Sequence, residues 1–114
     1  MNDCVFCRIA AGEIPARLAA RAEGALAFHD LNPRAPVHVL VIPTAHLGDA
    51  GAVGGDAHSV WPAVMELAVE VARREGIADA GYRLVINSGS DGGQSVAHLH
   101  VHVLGGRRMT WPPG

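Results

Sequence analysis

The alternation of apolar and polar positions changes period along the chain, and the changes mark elements. Val37 to Ile42 is nearly all β-branched or aliphatic, which predicts a buried strand stopped by Pro43. Val60, Val64, Leu67, Val71 and Ala72 then recur at helical spacing, with Glu66, Glu70, Arg73 and Arg74 mostly on other positions. This predicts a long amphipathic helix capped by Asp56 or Ser59, with Pro62 tolerated in its first turn and Gly76 as its stop. In His98-Leu99-His100-Val101-His102-Val103-Leu104 the period is two, which predicts a strand over 98–104. Weaker signals predict a short helix over Val5 to Ala11, strands over Arg17 to Arg21 and Ala25 to His29 joined by a Glu23-Gly24 turn, and a strand over Tyr82 to Asn87. Asp49 to Asp56 and Ser88 to Ser95 are glycine-rich and predict loops, and Gly105 to Gly114 has no period. Five strands with mostly short links and one long helix predict an α+β fold, with an antiparallel sheet covered on one face.

At 114 residues the chain fits a single domain, 1–114. Its net charge of −2 predicts no bulk attraction to nucleic acid or to an anionic membrane. All nine basic residues are arginine, which excludes a lysine-based phosphate loop. No apolar run approaches the ~20 residues that span a bilayer, and Met1-Asn2-Asp3-Cys4 does not begin a secretion signal. The default expectation is a cytoplasmic protein with reduced cysteines.

Candidate chemistry concentrates in the histidine row. Strand side chains alternate between faces, so the three imidazoles share one face at roughly 6.6 Å spacing while Leu99, Val101 and Val103 face a core. Imidazoles titrating near neutrality can serve as nucleophile, proton shuttle or metal ligand. The glycine-rich approach, Asn87 to Ser95, can turn backbone N–H groups toward an anion, with Asn87 and Ser95 as side-chain donors. His29-Asp30 and His38 lie at strand ends. Cys4 and Cys7 form a C-x-x-C pair without a preceding strand, unlike a thioredoxin-type site. A structural zinc site takes about four ligands, so the pair needs two more, from histidines of the row or from His46; two buried cysteines acting as small apolar residues are the alternative. Trp111, in a Pro/Gly tail, needs a surface to dock on, and a second subunit is one candidate.

Together these motifs resemble the histidine triad (HIT) family. The resemblance is carried by His98 to Leu104, Phe28-His29-Asp30, Ala35 to Pro43, Ser90 to Val96 and the ending Gly105 to Gly114, and it covers essentially the whole chain. It is closest to the Hint branch, with a zinc-type N-terminus. The resemblance implies a five-stranded antiparallel sheet with one long and one short helix, and a homodimer whose sheets join into ten strands. It implies cleavage at the α-phosphate of purine nucleoside phosphoramidates or related adenylates, with His100 as nucleophile and His102 and His38 setting its tautomer and charge. Asp30 would hold the ribose, beside His29, and Phe6, Ile9, Phe28 and Leu31 the base. Asn87, Gly93, Ser95 and the backbone around Val96 would bind phosphate, Gln94 would join the nucleotide-binding set, and Trp111 would reach the partner's site. Cys4, Cys7, His46 and His98 match the positions of a structural zinc site. A zinc-bound His98 would leave the leaving-group contact to Ser95; otherwise His98 joins the catalytic set. No catalytic cofactor is needed, and a purine nucleotide and a second copy are the expected partners.

Other readings are a dinucleoside polyphosphate hydrolase, a nucleotidylyltransferase and a non-catalytic nucleotide-binding regulator. The tail and Gln94-Ser95 argue against the first two. A metal-dependent oxygenase using the histidine row would need a further carboxylate, and no glutamate follows the row.

Overall fold

A computed structural model describes residues 3–114. Its regular elements are α1 (Val5–Ala10), β1 (Leu18–Ala22), β2 (Ala25–His29), β3 (Val37–Pro43), α2 (Val60–Arg74), β4 (Tyr82–Val85) and β5 (Val101–Gly105). The strands form one sheet in the order β1-β2-β3-β5-β4, and every neighbouring pair is antiparallel. The expected α+β architecture of five strands, one long helix and one short helix is therefore present.

The two sheet faces have different jobs. On one face Ala25, Ala27, Val39, Val41, Val101 and Val103 pack against Val64, Leu67, Ala68, Val71 and Ala72 of α2. These are the apolar positions of the helical period, buried as an amphipathic stripe. On the other face Leu26, Phe28, Leu40 and Ile42 pack with Phe6 of α1. Register carries functional side chains onto this second face: Phe28 pairs with Leu40, and Leu40 with His102. His38 pairs with Leu104, so His38 and His102 are diagonal neighbours on one face.

Several boundaries differ from expectation. β5 begins at Val101 rather than His98, because the Leu99 N–H donates to the Leu47 carbonyl (2.7 Å) outside the β3–β5 ladder. The alternation survives regardless: Leu99, Val101 and Val103 are buried. β4 stops at Val85, β1 runs one residue later than expected, and α1 ends at Ala10. Ser59 occupies the cap position of α2 without a side-chain capping bond, and Asp56 lies in a short 3-10 turn, Gly55–Ala57. Gly105 closes β5 where a Cβ would stand 2.5 Å from Ile77 Cδ1, so a side chain there would push into the helix-side core. Among the described residues, no helix is long and apolar enough to cross a membrane.

Candidate functional site

A cavity of about 340 Å³ opens on the α1 side of the sheet. Phe6, Ile9, Phe28, Leu31 and Leu40 supply its apolar wall; His29, Asp30, Ser95, His100 and His102 supply the polar one, with Val96 between them. Ten of the residues expected to contact nucleotide thus share one cavity: Phe6, Ile9, Phe28, His29, Asp30, Leu31, Ser95, Val96, His100 and His102. Phe6 stands edge-on to Phe28 (5.3 Å between ring centroids) and to His100 (5.2 Å), so one ring braces both walls.

Hydrogen bonds fix the proton positions of three imidazoles. His100 Nδ1 lies 2.7 Å from the His98 carbonyl, so Nδ1 carries the proton and Nε2 keeps its lone pair. The tautomer of His100 is therefore set by a backbone carbonyl rather than by the rings of His102 and His38. Those rings form a second chain. The Arg34 N–H donates to His38 Nδ1 (3.0 Å), leaving the proton on His38 Nε2. That nitrogen faces His102 Nδ1 at 2.9 Å and Asp30 Oδ2 at 3.4 Å. His102 Nδ1 consequently accepts, and the His102 proton sits on Nε2. The other Asp30 oxygen, Oδ1, accepts from the Asn32 N–H (2.8 Å).

Burial favours the neutral form of His102 and His38. His102 is pushed down to about 4, chiefly by desolvation and then by repulsion from His100 and His38, with Asp30 opposing. Burial also lowers His38, against the attraction of Asp30 and with a further push from Arg34. The sign of the linkage follows. Between the ordinary histidine value of 6.5 and about 4, the unfolded chain binds a proton at position 102 that the folded chain refuses. Stability should therefore fall as pH drops through that window, by on the order of 2 kcal/mol for this group. Urea titrations at pH 7 and pH 4.5 on wild type and His102→Gln test it: the wild type should lose more stability than the variant, and equal losses would refute the assignment.

The loop before the row is built from its own side chains. Gln94 Oε1 accepts from the Gly89 N–H (2.9 Å), and its Nε2 donates to the carbonyls of Gly48 (2.7 Å) and Val96 (2.9 Å). The Gln94 amide thus holds the loop together. A Cβ on Gly92 would stand 2.5 Å from the Ser88 carbonyl oxygen, a backbone atom that cannot swing aside. Asn87, Gly93 and Gln94 are not on the cavity wall, and Trp111 is 81% exposed and away from it.

A second cluster lies behind the first. Cys4 and Cys7 flank Phe6, and their sulfurs meet His46 and His98. His98 Nδ1 is 3.3 Å from Cys4 Sγ, 3.5 Å from Cys7 Sγ and 3.2 Å from His46 Nδ1; Cys7 Sγ is 3.2 Å from His46 Nδ1. A tetrahedral ion with bonds of about 2.0 Å to nitrogen and 2.3 Å to sulfur spaces its ligand atoms about 3.3–3.8 Å apart. The observed spacings fit that geometry. His98 Nε2 donates to the Pro43 carbonyl (3.0 Å), leaving Nδ1 with its lone pair toward the cluster, and the Cys7 N–H donates to Cys4 Sγ (3.4 Å). The set Cys₂His₂ can hold zinc. Asp30, His38 and His102 also bring three ligand-type atoms together. There the Arg34 N–H occupies the Nδ1 lone pair of His38 and leaves Nε2 protonated, so this trio is a proton chain and not a metal site.

The sequence reading missed Val5, Ile14, Pro15, Ala16, Arg17 and Leu40 on the cavity wall. Leu40 was in principle accessible, since it alternates in phase with His38. The Arg34 N–H and the carbonyls of His98 and Pro43 have no side-chain signature at all.

Known proteins share much of this sequence and its fold. The HIT domain profile matches residues 11–109. An uncharacterized HIT-like protein of Synechocystis is 46% identical over 113 residues, covering 99% of this chain and 98% of that protein. A 14 kDa zinc-binding protein of Zea mays is 46% identical over 115 residues, covering 99% of this chain and 89% of that protein. A HIT family hydrolase from Legionella pneumophila superposes with a TM-score of 0.94 at 46% identity, covering 98% of this chain and all of that one. With its histidine row, cavity and cysteine–histidine cluster arranged on a fold that these relatives share along nearly its whole length, the chain belongs to the HIT family.

Proposed function

We propose that the protein is a nucleotide hydrolase that cleaves purine nucleoside phosphoramidates, or related adenylates, at the α-phosphate through a nucleotidyl intermediate on His100. The observation that carries this reading is the 2.7 Å contact between His100 Nδ1 and the His98 carbonyl, which leaves Nε2 as an unprotonated nucleophile at a cavity wall. The Phe6–Phe28 wall takes the base, and Asp30, with His29 beside it, takes the ribose hydroxyls.

In the first step the His100 Nε2–P bond forms as the P–N bond to the leaving amine breaks, and the amine departs with a proton taken from solvent and relayed through the exposed Ser95 hydroxyl. In the second step water attacks phosphorus and gives up a proton to solvent, the Nε2–P bond breaks and returns its electron pair to Nε2, and a nucleoside monophosphate leaves. His102 stays neutral and offers its Nε2–H to a nonbridging phosphate oxygen, where charge accumulates in both transition states. Cys4, Cys7, His46 and His98 hold a structural zinc ion, which supplies folding energy rather than chemistry at phosphorus. Two copies join at the edge strand β4, giving ten strands, and Trp111 of each reaches toward the other's cavity. Thiols kept reduced for metal binding suit the cytoplasm.

Adenosine 5′-phosphoramidate, followed by phosphorus NMR with intact-mass analysis of the quenched protein, tests the reaction. The expected result is release of adenosine monophosphate and a protein species heavier by one adenylyl group. Nucleotide binding without turnover would replace this reading with the regulatory one. Faster cleavage of diadenosine polyphosphates would move the protein to the other hydrolase class.

A further inference from the structure

The cysteine–histidine cluster and the nucleophile share a segment of chain, and three contacts join them. First, His98 is fully buried; its ring lies in the cluster while its carbonyl receives the Nδ1 proton of His100 at 2.7 Å. The same residue therefore faces a metal ion with its side chain and orients the nucleophile with its backbone. Second, the Leu99 N–H, between those two histidines, donates to the carbonyl of Leu47, the residue after the ligand His46 (2.7 Å). Third, Phe6, between the ligands Cys4 and Cys7, meets His98 at 5.9 Å and His100 at 5.2 Å between ring centroids. Each of the ligand-bearing segments, 4–7, 46–47 and 98, thus places an atom or ring on the stretch that carries His100.

Segment 98–100 lies outside the β-ladder, so the sheet does not hold it directly. Its constraints are the ring of His98, the bond to Leu47 and the bracing by Phe6. Removing a bound ion leaves two thiolates and two imidazoles to reorganise; His98 Nε2 keeps its bond to the Pro43 carbonyl, so the change reaches the segment through His46 and Leu47 and through Phe6, between the two cysteines.

We propose that this centre positions the nucleophile: a metal ion at Cys4, Cys7, His46 and His98 fixes the ring plane and proton placement of His100, so that His46 and His98 are positioning residues for the hydrolysis in addition to being ligands. The inference rests on the reading of His100 as the nucleophile. Displacement of a reacting atom by about 1 Å lowers rate about 10²-fold, and loss of a second-shell partner lowers activity about 10- to 100-fold, which sets the expected effect.

The test uses the zinc-loaded full-length protein labelled with ¹⁵N-histidine. His46 is the ligand of choice for substitution because it is exposed and outside both cores. In His46→Ala, the Nδ1–H resonance of His100 should shift or broaden, and nucleotidylation of His100 at saturating nucleotide should slow about 10- to 100-fold. Added imidazole with zinc should restore the resonance and the rate together, and His46→Cys, which supplies another zinc ligand, should retain both. An unchanged His100 resonance and an unchanged nucleotidylation rate in metal-free His46→Ala would overturn the proposal. Should that variant not fold, chelator titration of the wild type, with far-UV circular dichroism alongside the resonance, decides the matter. Loss of the fold in step with the metal there would assign the centre a structural role alone. The resonance needs no substrate, so it separates this inference from the hydrolase reading: a wild type that forms no adduct would sink that reading while the resonance still reports the coupling.

Discussion

His100→Ala is expected to lower phosphoramidate turnover by at least about 10⁴-fold and to eliminate the nucleotidylated protein. The reason is tautomeric as much as positional. Three imidazoles, those of His29, His100 and His102, reach the polar wall of the cavity, and hydrogen bonds divide the work of the last two. His100 has its proton on Nδ1, locked to the His98 carbonyl, and an unprotonated Nε2. His102 has its lone pair on Nδ1 used by His38 and its proton on Nε2, so it can donate to a phosphate oxygen but cannot attack phosphorus. It should not substitute for a missing His100. His102→Ala, by contrast, removes a donor to developing charge and should lower turnover about 10²- to 10³-fold, with adduct still formed slowly on His100. Because the base and ribose walls do not depend on either ring, both variants should still bind nucleotide, which separates lost chemistry from a lost site. An adduct that persists in His100→Ala, on any residue, would remove His100 from the nucleophile's role.

The phase of the histidine row is legible in the sequence because it depends on side-chain type alone: apolar Leu99, Val101 and Val103 must face a core, and that places the histidines opposite. Apolar Phe6, Ile9 and Phe28 likewise find a cavity or a core, whereas Leu31, which the resemblance also assigns to the base pocket, touches the cavity while 98% exposed. The failures share a cause. The start of β5, which of the nearby carbonyls sets the tautomer of His100, and the proton order of His38 and His102 are all decided by backbone groups of Leu47, His98 and Arg34, and any residue type supplies a backbone carbonyl or N–H. Gln94 shows a loop-holding role that residue type does not announce. Its position beside Ser95 in a glycine-rich loop suggests a ligand contact, but both ends of its amide find backbone partners within the loop and at Gly48, which is remote in sequence. For the metal cluster, C-x-x-C spacing pointed to two ligands; the residues themselves could not choose among the histidines, and the resemblance singled out His46 and His98. The coordinates bring those two to the sulfurs.

Metal removal is expected to have the largest effect on stability, and a local one. Cys4→Ser, or chelation of the wild type, should lower the Tm by about 10–20 °C, corresponding to on the order of 2–3 kcal/mol in a domain of this size. The layout of the two cores explains why the loss stays below complete unfolding. The larger core lies between α2 and the sheet and includes none of the four ligands, so it persists without metal. On the other face, α1 is six residues long, too short to hold helical structure by itself. It is fastened by Phe6 against Leu26, Phe28, Leu40 and Ile42 and by the thiolates on either side of that ring. Without the ion the two thiolates and two histidines lose their common partner, and the ordering entropy of α1 is set against the burial of Phe6 and the partial burial of Ile9 and Ala10. Hydrogen exchange should therefore show protection lost over residues 4–12 and around His46 and Leu47, and retained in β2, β3 and α2. The cavity should open at the same time, since Phe6 and Ile9 form one of its walls. Uniform loss of protection, α2 included, would mean that the two faces unfold as one unit. An unchanged Tm after chelation of a protein shown to contain zinc would mean that Phe6 alone fastens the helix.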